Sequence, residues 1–284
     1  MKILISGGTG FVGRYIVNSL CEEHQIYLLA RDMNKAQKVV KCKKNVTLIP
    51  FVENLSLIVK KSKPDVVINL LGILKEEREN SFYKVHVEFT KALVDGAKDI
   101  EVKKFIQMSA LGADKNSKSV YMRTKALGEE YVINSGLEYA IFRPSIILGK
   151  EQKLFYDLKK FSKIAPFFIA PKGKVQPVNI YDVRDCFVKE LDSPNSGIFE
   201  LCGDKVVSYK YLFKFALDYI GVKRPVVEVP KGFLLFLLPF FSFFPEPPMT
   251  KDQYYMLQKD NVCSGDFPGV KDILGSVRDA FRFD

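Results

Sequence analysis

Tryptophan is absent from this sequence of 284 residues, and histidine occurs only twice, as His24 and His86. Neither histidine has a cysteine nearby, so we expect no metal site. The five cysteines are Cys21, Cys42, Cys186, Cys202 and Cys263. Their odd number and wide spacing predict reduced, buried thiols in a cytoplasmic protein rather than a disulfide framework. The first residues also lack the apolar run of about 7–15 residues that a secretory signal requires.

Positive charge exceeds negative charge, and the formal net charge is +10 at pH 7. Lysines cluster at 41–44, at 60–63 and at 103–104. A solvated, lysine-rich surface accounts for such clusters, and attraction to anionic lipid or to a phosphate-bearing ligand is the alternative explanation. Because the basic residues form no recognised module with stacking aromatic residues, we expect no nucleic-acid partner.

Short β-branched runs alternate with amphipathic stretches through the first half of the chain. The predicted strands cover residues 2–6, 25–30, 46–49, 65–71, 104–109 and 139–144. The predicted helices cover residues 13–22, 34–40, 55–61, 82–98 and 121–135. This order is typical of a parallel sheet covered by helices on both faces. We therefore predict an α/β fold, a Rossmann-type doubly wound parallel sheet with a smaller C-terminal α/β lobe.

The pattern changes after residue 149, where lysine- and phenylalanine-rich helical stretches are mixed with short strands. We expect the Rossmann domain to cover residues 1–150 and the smaller substrate or partner lobe to cover residues 151–284. Within the second part, residues 175–203 are expected to return to the first domain.

A glycine-rich turn from Gly7 to Gly13 joins the first predicted strand to the first predicted helix. Gly7 allows the tight turn, Gly10 lets the backbone approach a pyrophosphate, and Gly13 lets helix and strand pack closely. The amides at the helix start then point at the anion. In this strand–turn–helix context a tight turn without a ligand is the weaker interpretation, so we predict that domain 1–150 binds a dinucleotide.

The residues after the second predicted strand indicate which dinucleotide is bound. An acidic residue there favours the ribose hydroxyls of NAD, and an arginine favours the extra phosphate of NADP. Arg31 comes first, with Arg14 and Lys35 near it in sequence, and Asp32 follows. We favour NADP(H), with NAD(H) as the alternative.

Tyr121 and Lys125 are four residues apart and share one face of a predicted helix. Such a lysine can stabilise a tyrosinate and bring a phenol with an ordinary pKa of about 10 into a useful range for acid/base work. Ser109 ends the preceding strand, where its hydroxyl can hold a substrate carbonyl beside the phenol. The alternative is that Tyr121 and Lys125 grip the cofactor without catalysis.

Further motifs accompany these residues. They are the glycine turn and residues 69–72, 85–87, 109–113, 121–129, 142–145, 176–179, 180–183, 251–253 and 260–262. Together they resemble the extended, epimerase- and dehydratase-like short-chain dehydrogenases. Within that family they are most similar to the atypical subgroup that contains the nucleotide-binding accessory subunit of respiratory complex I and its bacterial relatives. The similarity covers nearly the whole chain and implies a Rossmann fold with bound NADP(H).

The resemblance also implies roles for individual residues. The cofactor-binding residues would be Gly7, Thr9, Gly10, Phe11, Val12, Gly13, Arg31, Leu71, Gly72, Tyr121, Lys125 and Pro144. In this set Arg31 takes the adenosine phosphate and Lys125 the nicotinamide ribose. The catalytic residues would be Tyr121 as the acid/base, with Lys125 and Ser109.

Two departures from the family pattern bear on turnover and on adenine binding. His86 stands where extended dehydrogenases carry an asparagine that supports a water relay. The aspartate expected after the third strand, which contacts adenine, is missing from segment 50–53. We interpret His86 as a satisfied core residue, with a relay or cofactor-proximal role as the alternative.

Residues 232–245 form the most apolar stretch of the chain. A bilayer crossing needs about 20 apolar residues, and Pro239 and Pro245 interrupt this shorter segment, so we expect no transmembrane helix. One interpretation is a buried helix or a lid over an apolar pocket. The other is a face that rests on a membrane or docks a partner.

Two functions fit these features. The first is an NADP(H)-dependent oxidoreductase or epimerase that acts on a lipophilic carbonyl or hydroxyl substrate, with Tyr121 handling the proton. The second is a non-catalytic NADP(H)-binding accessory or assembly protein of a membrane-associated respiratory complex. We expect a cytoplasmic location, with a peripheral position at the inner face of the membrane as the narrower alternative.

Overall fold

A computed structural model describes residues 1–77, 79–194, 196–241 and 247–283. The strands are β1 (Lys2–Ser6), β2 (Gln25–Ala30), β3 (Val46–Pro50), β4 (Val66–Asn69), β5 (Lys104–Met108), β6 (Tyr139–Pro144), β7 (Ile147–Leu148), β8 (Phe168–Pro171), β9 (Lys174–Val175), β10 (Val178–Asn179), β11 (Gly197–Leu201), β12 (Val207–Ser208) and β13 (Val226–Val229). The helices are α1 (Phe11–Leu20), α2 (Met33–Val39), α3 (Leu55–Ser62), α4 (Phe89–Asp99), α5 (Val120–Ile133), α6 (Lys153–Phe161), α7 (Ile180–Lys189), α8 (Tyr209–Tyr219), α9 (Lys231–Phe241), α10 (Lys251–Met256) and α11 (Val270–Leu274).

Seven strands form the main sheet in the order β11–β6–β5–β4–β1–β2–β3, and every neighbouring pair is parallel. The chain winds outward from β1 in both directions, so the strand order reverses between β1 and β4. At this switch point Ser6 lies opposite Leu29 of β2 and Asn69 of β4. The predicted Rossmann-type α/β fold is confirmed, and ligands of such sheets bind at the carboxyl ends of the strands beside the switch point.

Side chains along each strand alternate between two apolar layers. Ile3 and Ile5 of β1 face a layer that includes residues of α1, α7 and α11. Leu4, between them, faces a layer built with α3, α4 and α5. Because helices cover both faces, the central strands are buried on both sides and are mostly apolar, which explains their strong signal in the sequence.

The later part of the chain contributes to the main sheet and to a separate apolar cluster. β11 pairs with β6 as the last strand of the main sheet, and α7 packs against α1. The separate cluster surrounds α6 and α8, where Phe155, Leu212 and Phe283 are buried. Three short strand pairs, β7–β10, β9–β12 and β8–β13, lie outside the main sheet.

The segment predicted as one helix over 82–98 is π-helical in its first part. A π-helical turn covers Lys84–Glu88 and leads directly into α4. Its wider turn carries the buried residues Val85, His86 and Val87. Single π-helical turns of this kind often mark functional sites, and this one faces the carboxyl ends of the strands through His86, as described below.

The prediction that all five cysteines are reduced thiols is wrong. Disulfides join Cys21 to Cys42 and Cys202 to Cys263, with Cα atoms 6.0 and 6.1 Å apart. Cys186 alone is a free, buried thiol among the described cysteines, and burial raises its pKa. The partners are 21 and 61 residues apart in sequence, so only the packing of the fold brings them together.

Among the described residues, no helix has the length and apolar character needed to cross a bilayer. The same residues contain no grouping of three histidine, cysteine, aspartate or glutamate side chains that could hold a metal ion. α9 covers the first part of the apolar stretch predicted over 232–245, and residues 242–245 of that stretch lie outside the described residues.

Phe142 provides a test of the main core. Its ring is fully buried in β6, with ring centroids 4.5 Å from Phe187 and 5.5 Å from Phe199. We expect Phe142→Ala to lower the free energy of unfolding by about 3–5 kcal/mol in urea denaturation, because the packed ring leaves a cavity. Tyr83→Ala, at a side chain that is 51% exposed, should change it by less than about 0.5 kcal/mol. Equal effects of the two variants would contradict this packing.

Candidate functional site

The glycine turn lies against the loop that follows β4. Gly7 has a φ of +75°, and a Cβ atom there would lie 2.7 Å from the carbonyl carbon and oxygen of Leu70. A Cβ atom on Gly13 would lie 2.4 Å from the carbonyl oxygen of Gly7. Glycine is therefore required at both positions, and it brings the ends of β1, β4 and α1 into direct contact.

Gly10 has a different role, because the protein itself leaves room beside it. A Cβ atom at Gly10 would meet the Gly7 carbonyl oxygen at 3.2 Å, with no other contact within 4 Å among the described atoms. Gly10 is also the N-cap of α1 and has no side chain with which to cap it. The first amides of α1, at Phe11 and Val12, are thus presented at a helix start that attracts anions.

Asn69 organises the carboxyl ends of three strands. It is fully buried at the end of β4, where its Oδ1 accepts hydrogen bonds from the Ser6 hydroxyl at 2.7 Å and the Leu71 amide at 3.1 Å. Its Nδ2 donates to Gln107 of β5 at 2.9 Å and to Thr90 of α4 at 3.0 Å. Sequence reasoning placed residue 69 in a motif but assigned it no role, since all of these partners except Leu71 are distant along the chain.

His86 is a satisfied core residue, as we interpreted it. Its Nε2 accepts a hydrogen bond from the Ile73 amide at 3.3 Å, so the ring proton lies on Nδ1 and is donated to the Thr124 hydroxyl, 2.9 Å away. Burial lowers the pKa of His86 to about 2, and the charge of Lys125 acts in the same direction. The neutral ring therefore links the loop after β4 to α5.

Lys125 points toward the carboxyl ends of the strands. Its Nζ donates to the backbone carbonyls of Met108 at 3.1 Å and Leu71 at 3.4 Å. A Cβ atom on Gly72 would lie 3.3 Å from this ammonium group. Burial lowers the pKa of Lys125 to about 8, an effect that nearby Glu129 opposes.

Tyr121 lies one turn before Lys125 on α5, inside a small apolar cluster. Its ring packs edge-on against Phe82 and His86, at centroid distances of 5.7 and 5.2 Å. Met122 and Met256 belong to the same cluster. Burial raises the pKa of the phenol to about 12, and the Asp252 carboxylate adds to that shift. The surroundings move both the phenol and the Lys125 ammonium toward their neutral forms.

Asp252, on α10, caps the helix that carries Tyr121 and Lys125. Its carboxylate accepts hydrogen bonds from the Ser119 hydroxyl at 2.8 Å, the Val120 amide at 2.6 Å and the Tyr121 amide at 3.3 Å. A carboxylate is favourable at this end of a helix, where it faces unpaired amides and the positive end of the helix dipole. Sequence reasoning noted 251–253 only as a family motif, because the contact spans more than 130 residues.

Ser109 follows β5 and Pro144 ends β6, so both lie at the carboxyl ends of the strands. The Ser109 hydroxyl is buried and is the one buried side-chain polar atom without a hydrogen-bond partner among the described residues. Pro144 ends β6, and its carbonyl accepts from the Leu111 amide at 3.0 Å. An unpartnered hydroxyl in a buried position is costly, so Ser109 is suited to a bound group.

Two adjacent residues after β2 bear on the choice of dinucleotide, and their environments differ. Asp32 is the N-cap of α2, and its Oδ1 accepts from the Lys35 amide at 2.9 Å. Arg31 precedes it and is exposed. Arg14, which we grouped with Arg31 by sequence, instead donates to Glu151 at 3.3 Å. The carboxylate is thus engaged in capping, whereas the Arg31 guanidinium is open to solvent.

These features fit a dinucleotide. The cradle formed by Gly7 and Gly13, the uncapped start of α1 and the unpartnered Ser109 hydroxyl all lie at the carboxyl ends of the strands, beside the switch point. When bound, a nicotinamide dinucleotide would supply hydride-transfer chemistry. Fold and site together define a Rossmann-fold protein that binds a dinucleotide.

Comparison with known proteins specifies the family. A profile of the NAD(P)H-binding family matches residues 7–163, which is more than half of the chain, so the chain belongs to that family. It is 28% identical over 306 residues to the mouse mitochondrial protein NADH dehydrogenase [ubiquinone] 1 alpha subcomplex subunit 9, covering 95% of this chain and 74% of the mouse protein. It is 26% identical to the photosystem II assembly factor Ycf39 of Cyanophora paradoxa, covering 82% and 73% of the two chains.

A solved structure shows the same fold. UDP-glucuronic acid 4-epimerase from Bacillus cereus, solved with UDP-glucuronic acid and NAD, superimposes with a TM-score of 0.71 over 99% of this chain and 95% of the epimerase, at 16% identity. The predicted resemblance to extended short-chain dehydrogenases and to the complex I accessory subunit is confirmed. A nicotinamide dinucleotide is the cofactor class that the family defines.

The buried His86 ring predicts a specific pH dependence of stability. In the unfolded chain the ring has a pKa of about 6.5, whereas its pKa in the folded protein is about 2. Below pH 6.5 only the unfolded state takes up this proton, so the free energy of unfolding should fall by up to about 1.4 kcal/mol per pH unit as the pH decreases. Urea denaturation between pH 7.5 and 5 should show this slope reduced in His86→Asn. The destabilised Phe142→Ala variant keeps the imidazole ring of His86 and should retain the wild-type slope. If His86→Asn also retains that slope, the imidazole ring is not buried in its neutral form.

Proposed function

We propose that this chain is an NADP(H)-binding accessory or assembly protein of a membrane-associated respiratory complex, in which the dinucleotide stabilises the fold and is not turned over. The state of the tyrosine–lysine pair carries the proposal. Lys125 donates to two backbone carbonyls, and the pKa of Tyr121 is raised to about 12. A general acid/base works best with a pKa near the operating pH, so the phenol of Tyr121 is poorly suited to moving protons, whereas the two backbone contacts of Lys125 fix its ammonium group where it can hold a cofactor.

The relatives support this role. The mouse relative is by name a subunit of an NADH dehydrogenase, and the Cyanophora relative is by name an assembly factor of photosystem II. Each name links the relative to a larger protein assembly rather than to a free metabolic enzyme. We extend this kind of partner to the present chain, with a peripheral position at the surface of the membrane that holds the complex.

The geometry of the site supports a set of proposed residue assignments. We propose that the turn from Gly7 to Gly13, including Thr9, binds the pyrophosphate at the start of α1. Leu71, Gly72 and Pro144 flank the nicotinamide half, and Lys125 holds its ribose. We assign the adenosine phosphate of NADP(H) to Arg31, because the neighbouring Asp32 carboxylate is engaged as a helix cap.

We also propose a division of the chain into two domains. We assign dinucleotide binding to residues 1–150, completed by 175–203 with α7 and β11. The smaller lobe over 151–284 then carries the partner or substrate face. Its contribution to the nucleotide site is Asp252, which caps α5.

One observation favours a second function, an NADP(H)-dependent oxidoreductase or epimerase on a lipophilic substrate. The unpartnered Ser109 hydroxyl lies close in the fold to an apolar cluster that includes Phe82, Tyr121 and Met256. A carbonyl or hydroxyl group bound there would satisfy Ser109, and the cluster would suit an apolar substrate. In that case Tyr121 would donate or accept the proton.

Tyr121→Phe distinguishes the two functions. It removes the phenolic hydroxyl and retains the ring packing. If the dinucleotide is structural, the purified variant should still carry NADP(H), and cells with this variant in place of the wild type should contain a normal amount of assembled respiratory complex on native gels. Retained nucleotide with loss of cellular function would support the enzyme instead.

Gly10→Ala is the matched variant for this test. Its added methyl group meets only the Gly7 carbonyl oxygen at 3.2 Å among the described atoms, so the free protein should keep its fold. The methyl group would project where the pyrophosphate approaches. We expect bound NADP(H) and assembled complex to be lost together. Normal assembly without any bound nucleotide would overturn the structural role of the dinucleotide.

Arg31→Ala tests the choice of NADP(H). Loss of a charge-assisted contact to the adenosine phosphate costs about 1.5–3 kcal/mol, which is roughly a ten- to hundredfold increase in Kd for NADPH. Binding of NADH, measured by the same fluorescence titration, should change little. Lys38→Ala, at another exposed basic residue on α2, is the control. Equal affinities of the wild type for NADH and NADPH would contradict the assignment.

A further inference from the structure

Helix α9 places large apolar side chains in solvent. Phe236 is 74% exposed, Phe240 is 66% exposed, and Phe233 and Leu235 are each about half exposed. Leu234 is buried and attaches the helix to the lobe. Single exposed apolar residues are ordinary, but several on one short helix form a patch of the kind that marks an interaction site.

The helix is held in a defined position on the lobe. The Lys231 ammonium at its first turn donates to the Gln258 carbonyl and to the Asp260 carboxylate, each at 3.1 Å. β13, which leads into α9, is paired in parallel with β8. α9 is therefore presented outward by the fold rather than left as a loose tail.

Basic residues flank the β8–β13 pair that leads into α9, and the one charged residue within these two strands is the exposed Glu228. Between residues 158 and 175 every charged residue is a lysine, namely Lys159, Lys160, Lys163, Lys172 and Lys174. The Lys172 amide donates to the Val229 carbonyl at 2.8 Å, which places Lys172 beside the start of α9. At the other end of the β8–β13 pair the Phe168 amide donates to the Pro225 carbonyl at 2.8 Å, and the exposed residues Phe167 and Arg224 directly precede this contact on the two segments.

We propose that α9 and the basic segments that flank β8 and β13 rest on an anionic lipid surface. α9 has 11 residues and is about 16 Å long, too short to cross a hydrocarbon core of about 30 Å. It suits a position in the plane of the interface, with its phenylalanines in the acyl boundary and the lysines at the phosphates. A second copy of this chain would bring the same positive charge to the contact and be repelled.

This inference sharpens the peripheral location proposed above but does not depend on the respiratory complex, because the contact is with lipid. It is tested on the purified, full-length chain by co-sedimentation with vesicles. Neutral vesicles are phosphatidylcholine, and anionic vesicles contain about one third phosphatidylglycerol. We expect the wild type to sediment with anionic vesicles and to bind neutral vesicles at least about tenfold more weakly.

Variants separate the apolar and the basic contributions. Phe236→Ser combined with Phe240→Ser leaves the net charge unchanged and should reduce binding to anionic vesicles by at least about tenfold. Lys163→Gln combined with Lys172→Gln should reduce the preference for anionic over neutral vesicles. Leu57→Ser, at a side chain of α3 that is 44% exposed, is the control and should bind as the wild type does.

Three outcomes would overturn the proposal. The wild type could fail to sediment with anionic vesicles, or the α9 double variant could bind them normally. Light scattering could instead show that the wild type is a dimer that the α9 variant dissociates, which would make this face a contact between copies. Nucleotide content and complex assembly use no vesicles, so a failure of lipid binding is distinguishable from a failure of the proposed function.

Discussion

The buried carboxamide of Asn69 joins the strand ends on which the rest of the site is built. It is bonded to Ser6 of β1, to Gln107 of β5 and to the amide of Leu71 in the following loop. A buried amide without partners would be costly, so these bonds hold the strand ends together strongly. The same arrangement sets Leu70 against Gly7 and directs the Leu71 carbonyl toward the lysine of α5.

Helix α5 depends on this frame and is fixed to it from several sides. Glu129 forms a bidentate ion pair with Arg143 of β6, His86 bonds to Thr124, and Asp252 caps the first turn. Satisfied buried polar contacts of this kind rigidify a structure. The burial that gives the tyrosine–lysine pair its rigid position also favours the neutral form of each group. For the Tyr121 phenol, whose pKa rises to about 12, rigid burial therefore opposes acid/base reactivity, and this is the physical basis for proposing a structural dinucleotide.

Much of the site was predictable because its signals are local. The conformation of Gly7 and the close contact at Gly13 are properties of one turn, and Arg31 directly follows a strand. Asp252 was not predictable as a cap, since its partners at the start of α5 are more than 130 residues away. The state of the tyrosine–lysine pair was likewise hidden, because a spacing of four residues places two side chains on one helix face but does not determine how deeply they are buried.

The alternation of strands and helices, the parallel sheet and the position of the dinucleotide turn were predictable before the structure was known, because they follow from periodicity and from the conformational freedom of glycine within short segments. Tertiary structure alone decided which cysteines pair, as Cys202 does with Cys263, and that His86 is neutral. It also decided the exposure of α9. Hydropathy identifies an apolar segment, but whether that segment is covered depends on what the rest of the chain packs against it, and here the described residues leave Phe236 and Phe240 largely in solvent.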